Sequence, residues 1–294
     1  MKFDQTAPRR LIINGDDFGF SSGVNQAIIE AHERGVLTST SLMVTGDAFE
    51  EAVTLAKAHP TLAVGLHLVL ACGRSVLPPA QIPHLVDAHG NFSNQPEKAG
   101  IYYHFSAAAR REIPLEIRAQ LEKFRQTGLP LSHVDGHVHV HIQPVVLNHL
   151  VNLSDEFNIR SMRLPLEDLS ATLRADRSDL PIKLLLSIVY AGLRRYGEFV
   201  LRSRNIQFVD RVYGLFNSGR MTEDYLLKLI PHIQSNWVEI YSHPAAAIAG
   251  EPANESYGLG EAERDALISD RVRAMIHDQG FKLANYSQLG AVVR

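Results

Sequence analysis

The chain contains a single cysteine, Cys72, among its 294 residues, which excludes both an intramolecular disulfide framework and a cysteine-based zinc site. It has little excess of charge of either sign. The formal net charge of −3 leaves no broad basic surface for nucleic acid and no strongly acidic one for solvating partners. Long hydrophobic runs are missing too: the longest, residues 184–193 between Lys183 and Arg194, falls well short of the roughly 20 residues of a membrane span and reads as a buried helix. The amino-terminal stretch is charged, and the Leu11-Ile12-Ile13 run after it is too short for a secretory signal, so a reducing, cytoplasmic location is the expectation. What the chain does have is 45% hydrophobic residues, enough for a sizeable core, and 14 histidines, side chains that bind metals and titrate near neutral pH.

Short β-rich runs alternate with longer segments of helical period along the whole length. The spacing predicts strands over 11–15, 38–44, 62–70, 132–138, 159–164, 206–212, 237–242 and 281–285, with helices over 22–34, 47–58, 114–127, 144–157, 181–202, 222–234 and 261–278. Asp47 and Glu50 are spaced like a capping box, Pro114 and Pro144 suit first helical turns, and Gly35 and Gly128 suit helix ends. Alternation of this kind requires parallel strands, because each helix carries the chain back across the sheet. The expected fold class is α/β, a single (β/α) barrel of seven to eight parallel strands spanning 1–294. A doubly wound sheet would usually place a glycine-rich phosphate loop after strand one, where this chain has Asn14-Gly15-Asp16-Asp17-Phe18-Gly19. Residues 71–113, rich in proline, are too long for an ordinary strand–helix link and form a rim insertion, either a lid or substrate loop or a plain surface excursion.

The polar residues fall at predicted strand ends. Asp16 and Asp17 follow strand one, His67 lies toward the end of strand three, and Asp135, His137, His139 and His141 occupy the end of strand four. Arg163 ends strand five and His243 follows strand seven. In a barrel these positions converge on one rim. One Asp and two His from separate strands can supply three ligands to a divalent ion and leave positions open for water and substrate. Strand alternation would point His137 and His139 the same way if the strand continues. The competing reading for any one histidine is a hydrogen bond without metal, and for either acid a helix cap. Of two adjacent acids, one can bind the ion while the other takes a proton from water, and His243 is placed to protonate a leaving amine. Cys72 has no motif around it and reads as an inert small residue, and Ser242 does not sit in a nucleophile elbow.

Asn14-Gly15-Asp16-Asp17-Phe18-Gly19, Thr38-Ser39-Thr40-Ser41, Gly65-Leu66-His67-Leu68, the Asp135–His139 region and Ser242-His243-Pro244 occur in the order seen in the YdjC-like carbohydrate deacetylases, which include chitooligosaccharide deacetylase. The chain resembles that family from residue 11 to about 245, and its length is compatible with the hopanoid-associated branch. Gly15 stands where members commonly have alanine, and the match weakens over 71–130. The resemblance implies a distorted (β/α) barrel related to polysaccharide deacetylases, one divalent ion (Mg²⁺ or Zn²⁺), and hydrolysis of an N-acetyl group from an amino sugar, a short carbohydrate or a glycolipid. By position it implies Asp17, His67 and His137 as metal ligands, Asp16 as base and His243 as acid. Asp135, His139 and Arg163 are left for substrate contact or for support of the ligands. The rival functions are a metal-dependent hydrolase of another amide, ester or phosphoester, and a carbohydrate-binding protein without turnover. A homo-oligomer is compatible with all of these.

Overall fold

The computed structural model describes residues 9–249, 251 and 259–289; most of the amino-terminal stretch read for an export signal lies outside them. Among the described residues seven strands, all parallel, make one sheet in the order β4 (Val134–Gly136), β3 (Ala63–Leu68), β2 (Ser39–Leu42), β1 (Arg9–Phe18), β6 (Trp237–Ser242), β5 (Arg211–Tyr213), with β7 (Phe281–Ala284) also on β1. β1 is the centre. Its Leu11-Ile12-Ile13 run is fully buried, as a strand covered on both faces requires, each side chain contributing about 1.5–3 kcal/mol of transfer free energy. One edge of β1 takes β7 at Arg9–Ile12 and then β2 from Asn14 onward, while the other takes β6 over Arg10–Gly15.

The sheet curls into a half-barrel. Between its edge strands β4 and β5, residues 159–164 make only single bridges, Met162 to Val134 and Ser161 to Gln207, where a full strand was expected. Backbone bonds run from the segment to both sides, between Val134 and Ser161 and Arg163 on one and between Gln207 and Arg160 and Met162 on the other, and its carbonyls also serve side chains: Arg194 donates to that of Leu164 and His141 Nε2 to that of Arg163.

The helices follow the expected punctuation in part. α1 (Ser22–Arg34) is capped by Ser21, which accepts from the Val24 amide, and ends at Gly35; α5 (Pro144–Asn152) has proline in its first turn, as predicted, but stops short of 157. Ser21 lies in the Gly-x-Ser-x-Gly pattern of Gly19–Gly23, and its hydroxyl acts as a helix cap there. α2 (Phe49–Ala58) has Ala48 at its cap with no side-chain bond, so the Asp47/Glu50 capping box does not form; Asp47 pairs with Arg74 instead. Pro114 sits inside α4 (Ala107–Gln126), which starts a full two turns earlier than proline placement suggested because Ser106 supplies the cap. The segment predicted as one helix over 261–278 divides into α9 (Gly260–Ile268) and α10 (Asp270–Asp278) at Ser269, which caps the second. α6 (Leu169–Ala175) and α8 (Glu223–Leu229) pack against each other.

Two segments differ more sharply from expectation. The 71–113 insertion contains α3 (Pro96–Phe105) and two antiparallel bridges, and α4 holds it down: Glu116 accepts from the Val76 and Leu77 amides and Glu112 from that of His84. The apolar run 184–193 lies in α7 (Leu180–Arg202) but is not buried. Leu185 is 62% exposed and Ile188 72%, and the helix is fastened to the body chiefly through Lys183, Arg194, Gly197, Val200 and Leu201.

Candidate active site

Asp16 and Asp17 lie within β1, immediately before its last residue, Phe18. In a regular strand adjacent side chains point to opposite faces. Here the pairing of β1 with β2 slips between Gly15 and Phe18, and Asp17 takes a left-handed conformation (φ 66°). This bulge gives both carboxylates access to the same rim. Gly15 beneath them leaves little room: a Cβ there would meet Leu37 Cδ1 at 2.9 Å.

His67 on β3 is the register partner of Asp135 on β4, and its Nδ1 lies 2.8 Å from Asp135 Oδ1, which leaves Nε2 facing Asp17 Oδ1 at 3.2 Å. A carboxylate behind an imidazole of this kind fixes ring orientation and tautomer. His137 Nδ1 reaches the same Asp17 oxygen at 2.9 Å. The strand does not continue past Gly136. Residues His137–Ile142 form tight 3₁₀ turns in which Val138 (φ 49°) and His139 (φ 56°) are both left-handed, at a cost of about 1–2 kcal/mol each for residues with a β-carbon. The expected same-face pairing of His137 with His139 is therefore replaced by a kink that sends three histidines to three tasks. His137 meets Asp17, His139 Nε2 meets the Tyr241 hydroxyl at 2.9 Å, and His141 bonds the Arg163 carbonyl.

Arg163 is fully buried and organises the acids. Its Nη1 and Nη2 donate to both oxygens of Asp16 (2.7 Å each), its Nε and Nη2 to Glu239 (2.9 and 2.7 Å), and Nη2 lies 2.9 Å from Asp135. Asn14 donates to Asp16 and to Ser41, and Ser41 donates to Asp135, so the Asn14 and Ser41 positions of the sequence motifs are wired to the same acids. Glu239 also accepts from the Tyr286 hydroxyl, and His133 stacks on the Tyr286 ring in a space that exists because residue 65 is glycine. Glu239, Tyr241 and Tyr286 were not recognised in the sequence. A lone acid in the apolar run Trp237-Val238-Glu239-Ile240-Tyr241 was the available signal, since a buried central-strand carboxylate requires a partner.

The site is strongly anionic. Burial opposes charge on the His67 ring, but Asp135, Asp17 and Asp16 outweigh it and push its pKa up to about 10. Burial likewise disfavours the Asp17 carboxylate, yet His137 and His67 hold its pKa well below the usual range. Asp17, His67 and His137 offer ligand atoms all within 4.8 Å of one another, and so do Asp16, His67 and Asp135. The first group is the one chemically available to a cation: it has two imidazoles, and Asp17 Oδ2 is buried with no partner among the described residues. In the second group, Asp16 and Asp135 are engaged by Arg163 and Asp135 also holds His67 Nδ1.

These residues open onto a cleft of about 450 Å³ that Asp16, His67, His139, Tyr241 and His243 share with the apolar side chains of Val138, Ile142, Leu186, Val189 and Leu193. Pro96 and Glu97 bring the 71–113 insertion to its edge, and Tyr190 brings in α7. His243 is held by its backbone amide, which donates to buried Glu263 on α9 at 2.5 Å. Cys72, beyond the end of β3, has its thiol pKa raised by burial, which suits the inert reading.

The loop carrying Leu215 and Ser218 into the cleft is pinned by Glu167, which accepts from the Gly214 and Phe216 amides and the Thr172 hydroxyl. Burial raises the Glu167 pKa to about 7 despite these bonds. The folded state therefore binds this proton more tightly than the unfolded chain, and stability falls as pH rises from about 4.5 to about 7. Glu167→Gln, whose oxygen can serve the two amides while its NH₂ faces the threonine oxygen, should flatten that dependence. The expected result is a higher melting temperature than wild type at pH 8 and little difference at pH 5; a variant less stable at both values contradicts the assignment.

The fold and site together define a class: a parallel α/β half-barrel with an Asp-His-His group and an arginine-bound second aspartate at the carboxyl ends of its strands. The chain belongs to the YdjC-like protein family, whose profile matches residues 10–278. It is 36% identical over 282 residues to a carbohydrate deacetylase of Brevibacillus brevis, covering 96% of this chain and 100% of that one. It is 29% identical over 283 residues to a chitooligosaccharide deacetylase of Serratia marcescens, covering 95% and 98%. Among solved structures, an Enterococcus faecalis protein provisionally named for cellobiose-phosphate cleavage superposes with a TM-score of 0.73 at 28% identity, covering 96% of this chain and 99% of that one.

Proposed function

We propose that this protein is a metal-dependent carbohydrate N-deacetylase, hydrolysing the acetamide of an amino sugar. The observation that carries the reading is the Asp17, His67 and His137 group, which reaches the cleft through His67, with Asp16 and His243 lining the same cleft. The curated relatives named as carbohydrate deacetylases, matched over nearly their full length, support the reaction class.

Asp17, His67 and His137 would hold a divalent ion. The hard carboxylate suits Mg²⁺ and the two imidazoles suit Zn²⁺. Such an ion supplies a water of lowered pKa and polarises a carbonyl. Asp16, fixed through both oxygens by Arg163 and through Oδ1 by Asn14, takes the proton of the attacking water. His243 gives a proton to the departing sugar nitrogen, and Glu263 fixes the backbone from which it projects. Arg163 orients Asp16 by donating to both of its oxygens, and Asp135 holds His67.

The substrate range extends to a glycolipid. The exposed apolar face of α7 runs from Ile182 through Leu185 and Ile188, next to Leu186, Val189, Tyr190 and Leu193 on the cleft wall, and Ile101 and Phe105 of α3 add exposed apolar surface beyond Pro96. No helix among the described residues is long and apolar enough to cross a membrane. An apolar patch beside a polar site suits a ligand with a sugar head and a hydrophobic tail.

Purified protein supplied in turn with Mg²⁺, Zn²⁺, Mn²⁺ and Co²⁺ is expected to release acetate and an equal amount of free amine from N-acetylglucosamine oligomers or from an N-acetylglucosaminyl lipid. A chelator should abolish release and added metal should restore it. Liberation of phosphate or of another acid, or sugar binding without acetate, would replace this reading with one of its rivals.

A further inference from the structure

We propose that Tyr241 is a further catalytic residue of this site, its hydroxyl donating a hydrogen bond to the substrate's amide oxygen as negative charge builds there, and that His139 is the positioning residue that aims it. The proposal rests on the deacetylase reading above.

Tyr241 is the penultimate residue of β6, and the register Asn14↔Tyr241 and Gly15↔Ser242 places it alongside the end of β1 that carries Asp16. It lines the same cleft as Asp16, His67 and His243. Its ring lies over the Arg163 guanidinium, 4.6 Å from the ring centroid, and edge-on to the rings of His139 and His243 at 5.2 and 5.8 Å. Three neighbours therefore fix the plane of the phenol, and burial keeps its proton on.

The hydroxyl has one proton and two lone pairs. His139 Nε2, at 2.9 Å, can satisfy the oxygen as a donor and leave the phenol proton directed into the cleft. That tautomer leaves His139 Nδ1 as a bare acceptor. Nδ1 is in fact a buried atom without a partner among the described residues, and a bare acceptor is easier to leave unpaired than a stranded N–H. The left-handed conformations of Val138 and His139 make the arrangement deliberate, because an extended continuation of β4 would not carry this ring to β6. No proton leaves the phenol during the reaction: a preorganised neutral donor opposite a developing oxyanion lowers the barrier by hydrogen bonding alone.

The test compares wild type, Tyr241→Phe, His139→Gln, His139→Ala and the Tyr241→Phe/His139→Ala double variant on an N-acetylglucosamine oligomer, reading kcat, KM, metal content and melting temperature. Tyr241→Phe is expected to lower kcat by about 100-fold, with KM and metal content little changed. His139→Ala should lose about tenfold, His139→Gln less because it keeps an N–H donor, and the double variant no more than Tyr241→Phe alone, as two residues acting through one bond require. If wild type releases acetate and Tyr241→Phe does so within about threefold of it, or if the two losses multiply, the pair has no such role while the deacetylase reading stands. If wild type releases no acetate from any N-acetylated sugar, both fall together.

Discussion

Asp16→Asn is expected to keep the bound ion and lose about three orders of magnitude in acetate release, whereas His137→Ala is expected to lose both the ion and the activity. The contrast follows from how the two adjacent acids are divided. Asp17 faces His67 and His137, and its second oxygen is left over for a cation. Asp16 is turned the other way, onto Arg163 and Asn14, yet it still lines the cleft. Replacing it with asparagine keeps the size and one acceptor oxygen but removes the basic lone pairs, and the Asp-His-His group is untouched. Removing the His137 imidazole takes away one of three ligands and leaves Asp17 with His67 alone. Elemental analysis of the purified variants, paired with acetate assays, reads both quantities. Full activity in Asp16→Asn would end its assignment as the base, and a stoichiometric ion in His137→Ala would end that of the ligand.

Arg163→Met is expected to destabilise the protein by about 3–5 kcal/mol near neutral pH. The guanidinium faces Asp16, Asp135 and Glu239, all buried, and its removal strands carboxylates where water cannot reach them. Burial already raises the Glu239 pKa, with Arg163 acting against it, so Glu239 takes up a proton more readily once the arginine is gone. Two consequences are distinctive. The deficit should shrink at lower pH as the stranded acids protonate, and Glu239→Gln in the Arg163→Met background should recover part of it. Arg163→Lys should not substitute, because one ammonium cannot reproduce the planar fork that serves two carboxylates at once. Urea unfolding at pH 5 and pH 8 measures these differences; a loss below about 1 kcal/mol at pH 8 would mean the acids are neutralised in some other way.

Much of this site was visible in the order of residues along the chain. The run 237–242 matched β6 residue for residue, α1 began and ended where predicted, and of the acids and histidines marked out at strand ends Asp16, His67, His139 and His243 line one cleft, with Asp17 meeting both His67 and His137. Periodicity reports which residues share a face within an element, and it did so wherever the element was regular. It failed at four places. The slip in β1 and the kink after Gly136 re-aim Asp16, Asp17, His137 and His139 through left-handed backbone that no alternation rule anticipates. Residues 159–164 have strand composition and backbone bonds on both sides, but they form only single bridges, to Val134 and to Gln207. The apolar run of α7 looked like core, and lies beside the cleft with much of its surface exposed.

By itself, then, the sequence determined the parallel α/β architecture, the chemical kinds of group at the strand ends and the family to which they belong, because these depend on local period, composition and motif order. Only the tertiary structure decided that Arg163 grips both oxygens of Asp16, that Glu239 and Tyr286 complete the buried charge network, and that Tyr241 meets His139 on the cleft wall. Those pairings join residues as far as 147 positions apart, and they are set by strand register and the curl of the sheet, long-range quantities that no local pattern encodes.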